Sequence, residues 1–213
     1  MPTNTTFKYE TKRNNLFLRV ARGHFATSNC HSNYYIDVVA QKTRLSEAKA
    51  VAEELRAYFY HTTVVDTILC LDGTEVIGAC LANTLEQNDF ISMNAHKSIY
   101  VVTPETTNSS QLLFRDNILP MIQGKHVMVL AVSVASGKTV EAAIDAIKYY
   151  GGSVSGICSI FSTAKDILGY PVYSCFDPSA LPDFQSAPAH DCPLCKAGVK
   201  IDALVNCHGY SKL

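Results

Sequence analysis

The chain has 213 residues and 23.3 kDa, with 47% apolar and 17% charged residues. That suits one domain with a buried core and excludes a globally disordered chain. Lys and Arg number 18 against 19 Asp and Glu, a net charge of −1, so no bulk basic field draws nucleic acid or an anionic membrane to it. No apolar run approaches the roughly 20 residues that span a bilayer. Met1 to Asn15 is polar and holds no signal-peptide core. The expected compartment is cytoplasmic, with the eight cysteines mostly present as thiols.

In chain order, Leu16 to Val20 and Tyr34 to Val39 read as extended, separated by the polar loop Thr27 to Asn33. Ser46 is placed to cap a helix that carries Ala48, Val51, Leu55 and Tyr58 at helical spacing. Thr63 to Leu71 reads as a strand, Asp72-Gly73-Thr74 as a turn, Glu75 to Leu85 as a helix and Ser98 to Val102 as a short strand. Thr103 to Gln111 is polar and aperiodic, as in a long loop. Val127 to Val132 is continuously apolar, the pattern of a strand buried on both faces. Thr139 to Tyr150 then repeats apolar residues at helical spacing and stops at Gly151-Gly152, and Val154 to Phe161 is the next strand. Strand, helix and strand in this order imply a parallel sheet with right-handed crossovers.

Ala135, Ser136, Gly137, Lys138 and Thr139 lie between a buried strand and a helix start. Small residues let the backbone approach a ligand, and the first helical N–H groups and the helix dipole favour an anion. A phosphate site is the expectation; the alternative is a tight turn that binds nothing. A nucleoside-triphosphatase P-loop needs Gly five residues before Gly137, where Val132 stands.

Three segments together resemble the phosphoribosyltransferases, specifically the orotate type. Gly23-His24-Phe25-Ala26-Thr27-Ser28 with Ser32-Asn33-Tyr34-Tyr35-Ile36-Asp37 is similar to the family's N-terminal hood segment. Asp72, Gly73, Thr74 and Glu75 resemble its pyrophosphate loop, and Ala135 to Thr139 its 5′-phosphate loop. A Cys-Pro-Leu-Cys such as Cys192 to Cys195 also occurs in some members. The resemblance implies an α/β fold with a mainly parallel central sheet flanked by helices, a small hood and a cysteine-containing tail. The implied units are a domain over residues 1–185, with the hood in 1–45, and a tail over 186–213. It also implies Tyr34 and Tyr35 in a ligand hood, a homodimer, and Mg2+ if the protein is active.

The departures are chemical. The family's two adjacent acidic residues, which hold the ribose hydroxyls, correspond to Ala131 and Val132, whose side chains accept no hydrogen bond. The family's mobile loop supplies a catalytic lysine, yet Thr103 to Gln111 contains no Lys or Arg. Cations that contact orotate in the family would fall near Thr27 and Ser162. Lys138, Arg115, Lys125 and Lys97 are the candidates to compensate. Losing one preorganised electrostatic contact costs about 2.7–4 kcal/mol of transition-state stabilisation. The leading expectation is therefore a protein that binds a phosphoribosyl compound, nucleotide or related phosphate, with transfer lost or altered. The alternative is an active phosphoribosyltransferase that makes a nucleoside monophosphate from a base and phosphoribosyl pyrophosphate; a third reading is an interaction module whose turns bind nothing.

The tail offers Cys192, Cys195 and Cys207, with His190 or His208, as zinc ligands, because Cys-x2-Cys suits a zinc knuckle. A tail without metal is the other reading. His24, His31 and His61 lack a local carboxylate or nucleophile partner and are expected to be structural or solvent-exposed. No Gly-x-Ser-x-Gly supports a serine nucleophile.

Overall fold

The computed structural model describes residues 6–10, 16–87, 92–94, 98–107 and 111–213. The chain begins with β1 (Thr6–Glu10), β2 (Phe17–Ala26), β3 (His31–Asp37), the short helix α1 (Val39–Thr43) and α2 (Leu45–Phe59). Next come β4 (Thr67–Cys70), α3 (Glu75–Leu85), β5 (Tyr100–Val102), β6 (Glu105–Thr106) and β7 (Leu112–Leu113). The expected strand–helix–strand unit follows as β8 (His126–Val134), α4 (Lys138–Tyr149) and β9 (Ser153–Ser162). β10 (Asp166–Ile167), β11 (Tyr170–Phe176), β12 (Ser186–Ala187), α5 (Pro193–Lys196), β13 (Ala203–Asn206) and β14 (Gly209–Lys212) complete the order.

The central sheet runs β10-β11-β9-β8-β4-β5 and is parallel except where β10 meets β11. β8 lies inside it, covered on both faces. Met128 and Leu130 join Ile68, Cys70 and Ile160 in a core shared with α2 and α3. Val127, Val129 and Ala131 point the other way and pack with Val140, Ala143, Ile144 and Ile147 of α4. Period-two alternation into two apolar layers is why this strand reads as one unbroken apolar run. At the end of α4, Gly151 N–H donates to Lys148 O at 3.0 Å and Gly152 N–H to Ile147 O at 2.8 Å, which satisfies the last carbonyls.

α2 corrects two expectations. Arg44, in extended backbone, occupies the N-cap, and Ser46 lies inside the first turn with no side-chain cap bond made. The buried face carries Ala48, Val51, Ala52, Leu55 and Phe59, whereas Tyr58 is 36% exposed. The i, i+3, i+4 rows of a helix carry the stripe from 55 to 59 and leave 58 at its edge.

A second sheet, the hood, runs β12-β3-β2-β13-β14, with β1 also on β2. Residues read as a C-terminal tail thus share a sheet with the N-terminal hairpin, since β13 pairs in parallel with β2 at Phe25 and Ala26. The stretch expected to be a long loop carries β6, which pairs with β7 as a small ladder joining Glu105 to Leu113 and Thr106 to Leu112. Residues 108–110 of that stretch, Lys97 and most of 1–15 lie outside the described residues. Among the described residues no helix is long and apolar enough to cross a membrane.

Candidate functional site

β4 and β8 are neighbours in parallel register. Their C-terminal turns, 71–74 and 135–137, therefore open side by side at the edge where open α/β sheets bind ligands. Between these turns and the hood lies a cavity of about 420 Å³, lined among others by Asp72, Val132, Ser136, Lys138, Tyr35 and Cys207.

The 135–139 turn is built to present its N–H groups. Gly137 caps α4 in a left-handed conformation, φ +79, and no side chain caps the helix. A Cβ at Gly137 would sit 2.5 Å from Ile167 Cδ1, a side-chain end that can shift, so the left-handed backbone is what favours glycine there. Thr163 engages the carbonyls behind the turn: its N–H donates to Val134 O at 2.9 Å and its hydroxyl to Ala135 O at 2.9 Å. The first N–H groups of α4 lack intrahelical partners by helix geometry. Ser136, Lys138 and Thr139 all line the cavity.

The 72–74 turn is held from behind. Asp72 and Gly73 are both left-handed, φ 57 and φ 77. Thr74 is fully buried and donates its hydroxyl to Leu71 O at 2.8 Å. Glu75 opens α3 and accepts from the Thr103 hydroxyl at 3.1 Å. Lys42, 9% exposed in α1, donates its Nζ to Asp72 O at 2.8 Å and to Cys207 O at 2.6 Å. Burial raises the Asp72 carboxyl, against the pull of Lys42, His208 and the Val132 backbone. Lys42 is the cation at this turn that the sequence reading missed; only tertiary packing of α1 brings it there.

Tyr34 and Tyr35 both line the cavity, and both are fastened by protein partners. Tyr34 OH donates to Pro182 O at 2.8 Å, accepts from Arg22 Nε at 2.8 Å, and its ring stacks on Phe184. Tyr35 packs against Phe25 and edge-on to Tyr210.

Ala131 and Val132 are buried in β8, and Val132 faces the cavity with an apolar side chain. Thr27 lines the cavity with its hydroxyl on Cys30 O at 2.9 Å, and Ser162 Oγ donates to Ala164 O at 2.6 Å. Among the expected compensating cations, Lys138 is at the cavity. Arg115 is instead paired with Glu105 at 2.6 Å. Lys125 precedes the N-terminal end of β8, the end opposite the turns. Asp72 is the one acidic side chain among the described residues lining the cavity. A single carboxylate suits Mg2+ only when a bound ligand's phosphates supply further oxygens.

The C-terminal cysteines separate, which corrects the expected ligand set. Cys192 Sγ and Cys195 Sγ meet His24 Nε2 and His31 Nδ1, with all four atoms within 4.8 Å of one another. Cys207 and His208 fall in the β13–β14 turn, and Cys207 borders the cavity beside Lys42. The reason is topological: β13 runs along β2 and carries its end away from Cys192 toward the 72–74 turn. No local spacing marks His24 and His31 as a pair, because they sit in different strands of a hairpin and meet the cysteines only through the tertiary fold.

No family model matches the chain. Among solved structures it is similar to the orotate phosphoribosyltransferase of Mycobacterium tuberculosis H37Rv in complex with Fe(III) dicitrate. That likeness has a TM-score of 0.54 and 14% identity, over 78% of this chain and 93% of that one. The same enzyme in complex with 5-phospho-α-D-ribosyl 1-diphosphate gives a TM-score of 0.50 at 13% identity, over 69% and 83%. Leishmania donovani UMP synthase gives 0.54 at 22% identity, over 76% of this chain and 34% of that one. Adenine phosphoribosyltransferase from Thermoanaerobacter pseudethanolicus gives 0.50 at 17%, over 68% and 88%. The chain has the phosphoribosyltransferase fold.

Proposed function

We propose that the protein binds a phosphoribosyl compound, a nucleotide or a related sugar phosphate, and that base transfer is lost or altered. One observation carries the reading: an uncapped helix start at 135–139 opens into a roofed cavity, while the strand feeding it carries Ala131 and Val132 near its C-terminal end. The ligand's 5′-phosphate would accept from the N–H groups of the turn and the hydroxyls of Ser136 and Thr139, with the Lys138 ammonium alongside. The ribose hydroxyls would meet Val132, which offers no acceptor. Tyr34 and Tyr35 would cover the ligand from the hood.

Asp72 would hold an Mg2+ ion brought in by a diphosphate, and the ion would neutralise phosphate charge. Lys42 favours a second reading, an active transferase with a rebuilt site, because its charge lies beside the turn that would face departing pyrophosphate. Its ammonium is already engaged by two carbonyls, so the binding reading stands first. A homodimer rests on the resemblance alone; a cytoplasmic location is proposed with it, and the eight cysteines, all free thiols, agree with a reducing compartment.

Calorimetric titration with phosphoribosyl pyrophosphate and with nucleoside monophosphates tests the site. We expect saturable binding by the natural chain and loss of at least about tenfold in affinity for Gly137→Ala, whose Cβ distorts the turn. Equal affinity in the two proteins would remove the phosphate from this turn.

A further inference from the structure

The four-residue cluster under the hood stands apart from the phosphate turns. His24 is in β2, His31 opens β3, and Cys192 and Cys195 flank the start of α5. His24 Nε2 lies 3.2 Å from His31 Nδ1, and Cys195 Sγ lies 3.3 Å from His31 Nδ1. Cys192 Sγ and Cys195 Sγ lie 3.6 and 3.7 Å from His24 Nε2. Tetrahedral zinc with Zn–N near 2.0–2.1 Å and Zn–S near 2.3 Å requires ligand separations of about 3.3 Å between nitrogens and about 3.6 Å between nitrogen and sulfur. These four edges match that tetrahedron to within a few tenths of an ångström, and the remaining two, from Cys192 Sγ to Cys195 Sγ and to His31 Nδ1, are within 4.8 Å.

The surroundings orient one ligand from behind. His24 Nδ1 is 2.9 Å from Val199 O. A carbonyl only accepts, so Nδ1 carries the proton and Nε2 presents its lone pair to the cluster, the arrangement of a metal-bound imidazole. Asp202 fixes the same residue twice: His24 N–H donates to Asp202 Oδ2 at 2.8 Å, and Asp202 N–H donates to His24 O at 2.8 Å. Gly23 permits this approach, because a Cβ there would lie 2.7 Å from Asp202 Oδ2. His24 is 1% exposed, Cys192 2% and His31 9%, so solvent has little access to three of the four ligands.

We propose that His24, His31, Cys192 and Cys195 form a structural zinc site that clamps the C-terminal segment onto the hood hairpin. Two thiolates with two imidazoles select zinc over the hard cations Mg2+, Ca2+ and Mn2+. Four protein ligands leave no open position for catalysis. The clamp joins histidines to cysteines 161 to 171 residues further along the chain. It also fixes the cavity roof, since Phe25 and Ser32, the chain neighbours of the two histidines, line the cavity.

The test is elemental analysis of the full chain purified without a polyhistidine tag, followed by replacement of the metal with Co2+. We expect about one equivalent of zinc and the intense d–d absorption of tetrahedral cobalt bound by thiolates. Alkylation of Cys192 and Cys195 should be slow with metal and fast after chelation. Cys192→Ser and His31→Ala should lose the metal, while Cys207→Ser and His208→Ala keep it. If Cys192→Ser fails to fold, the cobalt spectrum and metal-dependent alkylation of the natural chain decide alone. Less than about a tenth of an equivalent with no cobalt bands on titration would overturn the site. So would iron or copper as the bound metal, retention in Cys192→Ser, or loss in Cys207→Ser.

Discussion

Single residues set the chemistry here, and they differ in how far their roles can be read locally. Gly137, Lys138 and Thr139 are contiguous, so their place at a strand-to-helix turn is legible in sequence, and the structure puts them on the cavity. Lys42 is not: it lies in a five-residue helix and reaches Asp72 and Cys207 only through tertiary packing. His24 and His31 are likewise brought to Cys192 and Cys195 by hairpin pairing and a chain return. Tyr35 gives a prediction at this scale. Burial, then the charges of Asp37 and Tyr210, raise its phenol to about 12. The fold thus prefers the protonated phenol. Its contribution to stability is intact below the ordinary value of 10.0 and is lost as pH rises through about 12. Ultraviolet titration of the natural chain minus Tyr35→Phe should show one phenol ionising near 12, together with a steeper fall in denaturation midpoint for the natural chain above pH 10. A difference curve centred at 10 would contradict this.

At the scale of elements, β8 and α4 are the best-determined pair. β8 alternates between two apolar layers, and α4 offers one apolar face to the second of them. Both patterns are strong in sequence because burial on both faces of a strand, and on one stripe of a helix, constrains every position. β1, β13 and β14 were missed for the converse reason. Each has half or more of its described side chains partly or fully exposed, and β13 joins the hood by pairing with β2, which is remote in sequence. β11 is only half-buried for most of its length and so lacks the continuous apolar signal of β8. Leu130 is fully buried between β8's neighbours and the α2–α3 layer. Leu130→Ala should therefore lower unfolding free energy by about 2–5 kcal/mol, read by chemical denaturation. A loss under about 1 kcal/mol would mean that the core collapses around the gap or that β8 is not its centre.

For the whole molecule, the central sheet supplies two adjacent turns and the hood closes over them. The hood is held by chain segments from both termini: β2 and β3 from one, β12, β13 and the cysteine pair from the other. The proposed reading separates phosphate binding from base transfer. A phosphate cradle needs only backbone geometry, the role proposed for 135–139, whereas transfer needs fixed ribose hydroxyls and cations on the leaving group. On that reading, Val132 at the cavity wall offers no acceptor for the first requirement, and the Lys42 ammonium, engaged by two carbonyls, would meet the second only in part. The most direct measurement is phosphorus NMR of phosphoribosyl pyrophosphate with Mg2+ and the protein, recorded with and without orotate, uracil, adenine, guanine, hypoxanthine and xanthine. We expect a shifted or broadened 5′-phosphate resonance and no base-dependent growth of inorganic diphosphate above the protein-free rate. An unshifted 5′-phosphate would contradict the binding site, and base-dependent diphosphate growth would contradict the loss of ordinary transfer.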